Sequence, residues 1–182
     1  MQRNRSRRTR GPRALASAAA LAAALLTGAC NYGFSGGGGF PPSIRTLYIE
    51  APENETDRVD LSDQLLTEMN QKLPRSLGVR PGTRDGADAV VRTKILRYDD
   101  SAGNYRTDNA VNPGAVKVIQ NQVNISMSVQ IIDRKRNEIL WESSSLSGQG
   151  QYNPDKESDR DGRRLAIERL VQAVIDGAQS QW

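Results

Sequence analysis

The sequence predicts an α+β domain in which two helices pack on one face of a mixed sheet of four or five strands, in the order β-α-β-β-β-α. Two segments repeat apolar residues at the spacing of a helix, and several others have the β-branched or alternating pattern of strands. Two amphipathic helices can cover only one face of such a sheet. The other face must therefore meet solvent or a partner.

The first half of the domain predicts a strand followed by a helix. Ile44 to Ile49 is rich in β-branched and aromatic residues and lies between prolines, as is typical of a strand. The helix that follows is expected to begin at an N-cap of Asp57 or Asp60 and to end at Pro74. Its apolar residues recur at helical spacing: Leu61, Leu65, Leu66, Met69 and Leu73. A short strand over residues 77–80 would be the fifth.

The middle of the chain predicts two strands separated by a long loop. Ala87 to Tyr98 begins with residues that are apolar on both faces, which favours a central strand. Asp99 to Ala115 has no periodicity and is expected to be a loop, of a length that is often functional. Val116 to Asp133 predicts a long strand, and its change of phase places a bulge or break near Gln120 and Asn121.

The last part of the chain predicts a hairpin and a helix. Residues 134–137 are expected to form the hairpin tip, and Glu138 to Ser147 the returning strand. The final helix has the strongest amphipathic pattern in the chain. Its apolar positions are Ile167, Leu170, Val171, Val174, Ile175 and Ala178.

One face of the long strand is polar but almost uncharged. The apolar residues from Val123 to Ile131 alternate with Gln122, Asn124, Ser126, Ser128 and Gln130. A face that meets only solvent usually carries more Lys and Glu. Two interpretations stay open, a face that is merely solvated and a face that binds a partner.

The N-terminus has the pattern of a bacterial export signal with a lipidation site. Arginines precede an uncharged apolar run, residues 14–26, which is shorter than the roughly 20 residues of a membrane helix. Residues 26–29 and Cys30 resemble a lipobox, in which the cysteine is acylated and the chain is cut before it. The alternative is an ordinary secretory signal with an unmodified cysteine. We expect three parts: a signal peptide at 1–29, a lipidated cysteine and Gly-rich tether at 30–42, and one α+β domain at 43–182.

Removal of the signal peptide changes the charge of the chain. The sequence has 25 basic and 21 acidic residues. Six of the basic residues and none of the acidic ones lie in residues 1–29, so the rest carries 19 basic against 21 acidic groups, a net charge of −2. A basic patch in the folded domain, as nucleic-acid binding requires, is therefore not indicated. We expect no nucleic acid as a partner, and membrane attachment through the lipid anchor.

The composition argues against catalysis. The chain has no histidine, which excludes Ser-His-Asp and Cys-His mechanisms and zinc sites built on imidazole. The acidic clusters do not have the spacing of a calcium loop. We expect no enzyme, no cofactor and no metal site. An enzyme with a carboxylate-based site stays open as an alternative.

Residues 30–182 resemble the LptE family of lipopolysaccharide-assembly lipoproteins. After the lipobox and Gly-rich spacer, four motifs carry the resemblance: Ala51-Pro52-x-Asn54-x-Thr56, Leu66-Thr67-Glu68-Met69-Asn70-x-x-Leu73, Ala87-Asp88-Ala89-Val90-Val91 and Leu140-Trp141-Glu142. The resemblance implies a small sheet with two helices on one face. It also implies an outer-membrane lipoprotein that plugs the lumen of an LptD-type β-barrel, which places lipopolysaccharide in the outer leaflet. Asn31 agrees with an outer-membrane location, because proteobacterial lipoproteins that stay in the inner membrane favour Asp at the position after the lipidated cysteine.

The resemblance further implies binding of lipopolysaccharide, whose phosphates attract Arg and Lys. The candidate residues are Arg134, Lys135 and Arg136 at the hairpin tip, and Arg92, Lys94 and Arg97 on the preceding strand. The alternative for both groups is ordinary solvated charge. The rival for the whole chain is a structural or assembly-factor lipoprotein of another envelope or secretion complex.

Overall fold

The computed structural model describes residues 40–108 and 115–181, in which two helices and six strands occur. In chain order the elements are β1 Thr46–Ile49, β2 Glu53–Asn54, α1 Asp60–Ser76, β3 Arg80–Pro81, β4 Ala89–Asp108, β5 Ala115–Asp133, β6 Glu138–Tyr152 and α2 Asp159–Gln179. The predicted α+β class with two helices and a mixed sheet is confirmed. The predicted number of strands is too low, because a strand of two residues such as β2 shows no periodicity.

The sheet has the strand order β3-β1-β4-β5-β6, and β2 pairs with β4 beyond the end of β1. β1 runs parallel to β3 and β4, whereas β4, β5 and β6 form an antiparallel ladder. The start of β4 is central, as predicted, and Ala89, Val90 and Val91 are buried there. β4 therefore joins the short parallel strands to the long antiparallel ones.

The predicted loop from Asp99 to Ala115 is wrong. β4 continues to Asp108 and β5 begins at Ala115, so strand replaces most of the loop. Side chains 101–106 are all exposed. With no buried face, these residues have no alternation of polar and apolar types from which a strand could be recognised. The predicted irregularity near Gln120 is confirmed by shifts of register between β4 and β5 there.

The bounds of α1 correct two predictions. The residue before α1 is Val59 and no side chain caps the helix, so neither Asp57 nor Asp60 is the N-cap. Pro74 lies inside the last turn, where its missing N–H removes only one helical hydrogen bond. The helix ends instead at Ser76, and Gly78 shortly after it has a φ of 69°, the left-handed conformation that follows many helix C-termini.

One hydrophobic core joins the helices to the sheet. α1 buries four of its predicted apolar residues and α2 buries all six. They share a core with the inward residues of β1, β4 and β5, and it extends from Phe40 to Ala178. The predicted signal peptide and Cys30 lie outside the described residues, so the three-part division stays a prediction.

α2 lies against β6 at backbone distance because glycines line the contact. A Cβ atom on Gly150 would be 1.8 Å from the carbonyl oxygen of Gly162, and one on Gly148 would be 2.2 Å from that of Ala166. Any side chain at these positions would push the helix away from the strand. The glycines therefore set the position of α2 on the sheet.

Strand β6 forms an edge of the sheet in the described part of the chain. Its residues 143–152 carry no charge, although charged side chains commonly protect such edges. Arg169 of α2 reaches over this edge, and its Nη1 donates to the Gln149 carbonyl oxygen at 2.6 Å. A side chain thus occupies a backbone acceptor that another strand would need.

Candidate partner-binding face

The predicted polar residues of β5 form the centre of a surface that crosses three strands. Gln122, Asn124, Ser126, Ser128 and Gln130 are half-buried, while the residues between them are buried under the helices. We call these five residues, with the side chains opposite them on β4 and β6, the polar face. On β6 the opposite residues include Glu142, Ser147, Gln149 and Gln151.

A chain of amide side chains crosses one half of the polar face. Asn104 Nδ2 donates to Gln120 Oε1 at 2.6 Å, and Gln120 Nε2 donates to Gln151 Oε1 at 3.0 Å. Gln151 then donates to Gln122 at 3.5 Å, and Gln122 to Asn124 at 3.3 Å. Each amide offers a donor and an acceptor without charge. This half of the face can exchange hydrogen bonds with a neutral polar partner.

The other half of the polar face contains the predicted basic residues of β4. The sheet register places Arg92 opposite Gln130, Lys94 opposite Ser128 and Arg97 opposite Ser126. The structure therefore brings two separate predictions, the polar residues and the basic strand residues, into one surface. Arg92 and Lys94 also line an open groove of about 1060 Å³ together with Ser128 and Gln130.

Glutamates already pair with two of these cations. Arg92 Nε lies 3.2 Å from Glu50, and Lys94 Nζ lies 2.7 Å from Glu55 and 3.9 Å from Glu53. The contact with Glu55 raises the pKa of Lys94, since it stabilises the charged ammonium. A phosphate would have to compete with these carboxylates.

Arg97 differs from the other two basic residues of β4. Its side chain is exposed. It makes no ion pair with a carboxylate in residues 40–108 and 115–181. Of the three predicted strand cations, Arg97 is thus the one that an anionic ligand reaches without breaking an ion pair.

The basic cluster at the hairpin tip is a separate site. Residues 134–137 form the turn, as predicted, and the tip begins four residues after Gln130, roughly 13 Å along the strand. Arg134 Nη1 donates to the carbonyl oxygen of Arg84. Arg136 lies 3.6 Å from Asp133 and 3.8 Å from Glu138. The structure does not join the hairpin cations and the strand cations into one anion site.

Asp88 organises the surroundings of this tip. Nothing in the sequence beyond its place in the Ala87–Val91 motif indicates this role. Its carboxylate accepts the N–H groups of Arg45 and Thr46 at 3.0 and 3.1 Å and the Thr46 hydroxyl at 2.9 Å. Lys135 Nζ donates to it at 2.6 Å. Lys135, followed by these other donors, holds the pKa of Asp88 well below its usual value.

The far ends of β4 and β5 project beyond β6 as a two-stranded ribbon. We call residues 101–106 and 116–120 the arm; β6 pairs with β5 only from Asn121 onward. At the base of the arm, the Tyr152 hydroxyl donates to Asp100 at 3.0 Å and accepts from Asn121 at 2.8 Å. Burial raises the pKa of Tyr152, so the hydroxyl keeps its proton. These bonds fix the direction of the arm.

A buried arginine joins the N-termini of the two helices. Arg163 is 6% exposed, and its Nη1 lies 3.3 Å from both Asp60 of α1 and Asp159 of α2. Nearby, the Arg58 guanidinium lies 5.0 Å from the centre of the Tyr98 ring, a cation–π distance. The helical pattern does not reveal Arg163, because it occupies an inward position that apolar residues usually hold.

The described residues contain neither a metal site nor a membrane-spanning helix. No group of three or more Cys, Asp or Glu residues there is placed to hold a metal ion. No helix in the described part of the chain is both long enough and apolar enough to cross a bilayer.

The family comparison decides the identity of this fold. The family model LptE, described as lipopolysaccharide-assembly, matches residues 44–177. The chain belongs to the LptE family. The match covers every helix and strand except the last residues of α2. The family consists of assembly factors without catalytic activity, which fits the prediction that the chain is not an enzyme. Among curated proteins, none matches the chain.

Solved structures share the LptE-like fold at low sequence identity. A hypothetical protein of Chlamydia trachomatis is 11% identical with a TM-score of 0.52, over 76% of this chain and 97% of that one. A minor lipoprotein of Acinetobacter baumannii is 17% identical with a TM-score of 0.45, over 75% and 94% of the chains. A lipoprotein of Neisseria meningitidis is 14% identical with a TM-score of 0.44, over 72% and 96%. The Chlamydia protein supports the fold, and no argument is drawn from the other two.

Proposed function

We propose that this protein is an outer-membrane lipoprotein of the lipopolysaccharide-assembly machinery. Lipids on Cys30 hold it at the membrane, and its domain plugs and supports an LptD-type β-barrel from the periplasmic side or within the lumen. Membership of the LptE family supports the assembly role. The arginine-rich start, the apolar run and the small residues before Cys30 support the lipid anchor.

The observation that carries the proposal is the row of uncharged amide side chains that crosses one half of the polar face. The lumen of a membrane β-barrel is polar. Burying a charge against such a wall costs far more than burying an amide or hydroxyl that finds a hydrogen-bond partner. The linked amides from Asn104 to Asn124 offer donors and acceptors of this kind on a flat surface. This half of the polar face therefore suits contact with the polar inner wall of a barrel.

The arm is a second surface for the barrel. Tyr105 is 60% exposed and Val116 is 64% exposed, and no element of the described chain covers them. Large apolar side chains presented on a projecting ribbon favour contact with another protein. The arm lies where the sequence predicted a loop of functional length, and it offers an additional contact for the partner.

Two experiments test the partnership. The first is a pull-down of the tagged, lipidated protein from detergent-solubilised outer membranes, in which a stoichiometric LptD-type barrel is expected. The second places a photo-crosslinking residue at Gln149 on the polar face, with Gln172 on the outer side of α2 as the matched control, since both are exposed glutamines. Crosslinks to the barrel from Gln149 but not from Gln172 are expected.

Other outcomes would contradict the proposal. Recovery of a secretion-complex or cell-wall protein without a barrel would favour the rival structural lipoprotein. Equal crosslinking from Gln149 and Gln172 would show that the polar face is not the contact surface, even if the barrel is the partner.

Direct binding of lipopolysaccharide by the basic residues stays a proposal. Replacement of Arg134, Lys135 and Arg136 by Ala is expected to weaken binding of purified lipopolysaccharide, because phosphates lose their cations. Lys135→Ala also removes the ion pair with Asp88, so the thermal stability of the variant must be measured as well. Unchanged binding by the folded triple variant would refute the role of the hairpin cluster, and Arg97→Ala is then the next variant.

A further inference from the structure

One end of the domain is rich in exposed cations. The segments 40–45, 75–88 and 133–138 meet there. They carry Arg45, Arg75, Arg80, Arg84, Arg134, Lys135 and Arg136, against the carboxylates of Asp85, Asp88, Asp133 and Glu138. We call these segments the basic end. Seven cations against four anions leave a net charge of +3, or +2 when Asp176 at the adjacent end of α2 is included, in a predicted mature chain of net charge −2.

Hydrogen bonds hold these segments together. The Arg80 N–H donates to the Arg45 carbonyl oxygen at 2.9 Å, and the Arg45 N–H donates to Asp88 at 3.0 Å. Asp88 accepts from Lys135 at 2.6 Å. The Gln179 side chain of α2 donates to the Ser76 carbonyl oxygen at 2.8 Å, next to Arg75. The cations therefore share one surface although they come from distant parts of the chain.

Five of these arginines have no carboxylate partner in the described residues, and two of the five, Arg84 and Arg134, make side-chain hydrogen bonds to Tyr48 and to the Arg84 carbonyl oxygen, respectively. Lys135 pairs with Asp88, and Arg136 lies within 4 Å of carboxylates on both sides of the hairpin. Arg45, Arg75 and Arg80 are exposed, and they form no ion pair with any residue that the structure describes. Their guanidinium groups are available for an external anion.

The basic end is also where the chain enters the domain. Phe40 is 8% exposed and belongs to the core, and the Ile44 N–H donates to the Pro41 carbonyl oxygen at 2.9 Å. Nine residues lie between Cys30 and Phe40, so these two residues are at most about 35 Å apart. A lipid anchor at Cys30 therefore keeps the basic end close to the membrane surface.

We propose that Arg45, Arg75 and Arg80 bind the phosphates of anionic phospholipids at the bilayer surface into which the chain's own lipid anchor inserts. The inference rests on the lipid anchor of the proposed function and is independent of the barrel. The guanidinium group pairs well with phosphate oxygens. A cluster of cations beside a membrane anchor is attracted to a negatively charged surface.

Vesicle co-sedimentation tests this proposal without the anchor or the barrel. The probe is a chain that begins at Asn31; it lacks Cys30 and the arginines of the signal peptide but keeps the whole core from Phe40 to Ala178, so it folds on its own. Vesicles of phosphatidylglycerol and phosphatidylcholine are compared with phosphatidylcholine alone, at low and high salt. Binding is expected only to the anionic vesicles, and it should weaken as salt screens the charges.

Matched triple variants locate the surface. One variant carries Arg45→Gln, Arg75→Gln and Arg80→Gln, and the control carries Arg106→Gln, Lys156→Gln and Arg160→Gln. All six side chains are exposed, and none forms an ion pair with a residue that the structure describes. The first variant should bind roughly a hundredfold more weakly, about fivefold for each lost charge. The control should retain most of the binding.

Three results would overturn the proposal. One is that the unmodified chain fails to bind anionic vesicles. Another is that the two triple variants lose binding equally, which would mean general attraction of a charged chain. The third is binding to lipopolysaccharide but not to phosphatidylglycerol vesicles of equal charge, which would assign the arginines to the other source of phosphate. None of these results would affect the barrel pull-down, so the two proposals fail separately.

Discussion

Substitution of Gly150 by Ala should displace α2 from the sheet. The added Cβ would lie 1.8 Å from the Gly162 carbonyl oxygen and 2.8 Å from the Ala166 nitrogen. Both atoms belong to the backbone of α2, so no side-chain rotation can relieve the contact. A normal separation is about 3.4 Å, and the helix must therefore move by about 1.5 Å, or the strand must bend.

The expected cost follows from overpacking of a tight contact. Such substitutions cost about 1–3 kcal/mol, and the upper value applies here because only backbone can move. The lower flexibility of Ala in the unfolded chain offsets about 0.5–1 kcal/mol. The net loss is then about 2 kcal/mol, which lowers the melting temperature of a domain of this size by roughly 6–8 °C.

Thermal unfolding of the chain that begins at Asn31, followed by circular dichroism, measures this loss. Gly103→Ala is the matched control, since its Cβ would be 3.4 Å from the nearest atom, the Gln120 carbonyl oxygen, and would meet no helix. Its melting temperature should stay within about 2 °C of the unmodified chain, as for other surface substitutions. Equal melting temperatures for the two variants would refute the view that glycine contacts set the position of α2.

Further variants test the polar contacts. Asp88→Asn should lower the denaturant midpoint most at pH values above a usual aspartate pKa of about 4. The difference between the two proteins should shrink steadily as the pH falls below that value toward the lowered folded pKa, and a difference that does not change with pH would contradict this role of Asp88. Tyr152→Phe should cost about 1 kcal/mol and speed amide hydrogen exchange in the arm, whereas unchanged exchange would show that its hydroxyl does not fasten the arm. Arg163→Met should lower the free energy of unfolding by about 1–2 kcal/mol. The loss is smaller than for a fully buried ion pair, because both carboxylates that pair with Arg163 are partly exposed. Arg164→Met, on the surface, is the control and should change the free energy of unfolding by less than about 0.5 kcal/mol.

The sequence predicted those elements that bury one side against the core. The apolar residues of α1 and α2 recur at helical spacing because each helix has one inward stripe, and the alternation from Val123 to Ile131 reflects one buried side of β5. The polar face was predicted for the same reason, since it is the complement of that buried side.

The missed features depend on contacts that leave no local pattern. Both sides of β4 are exposed over residues 101–106, so this part of the arm looks like a loop in the sequence. Asp88 bonds to Thr46 across 42 positions and to Lys135 across 47, and no spacing rule links such distant residues. The ion pairs of Arg92 and Lys94 with glutamates near β2 depend on the parallel pairing of β1 and β2 with β4, which the sequence did not show.

The side chain of Arg169 over the edge of β6 affects how long the protein can stay dispersed before it meets a partner. An uncharged strand edge is a template on which further copies can add, and addition of copies leads to insoluble aggregates. Arg169 occupies the Gln149 acceptor and places a cation beside the edge, so a second copy would have to displace it and would bring a like charge against it. We therefore expect Arg169→Ala to precipitate sooner than the unmodified chain at high concentration, with little change in the stability of the isolated fold.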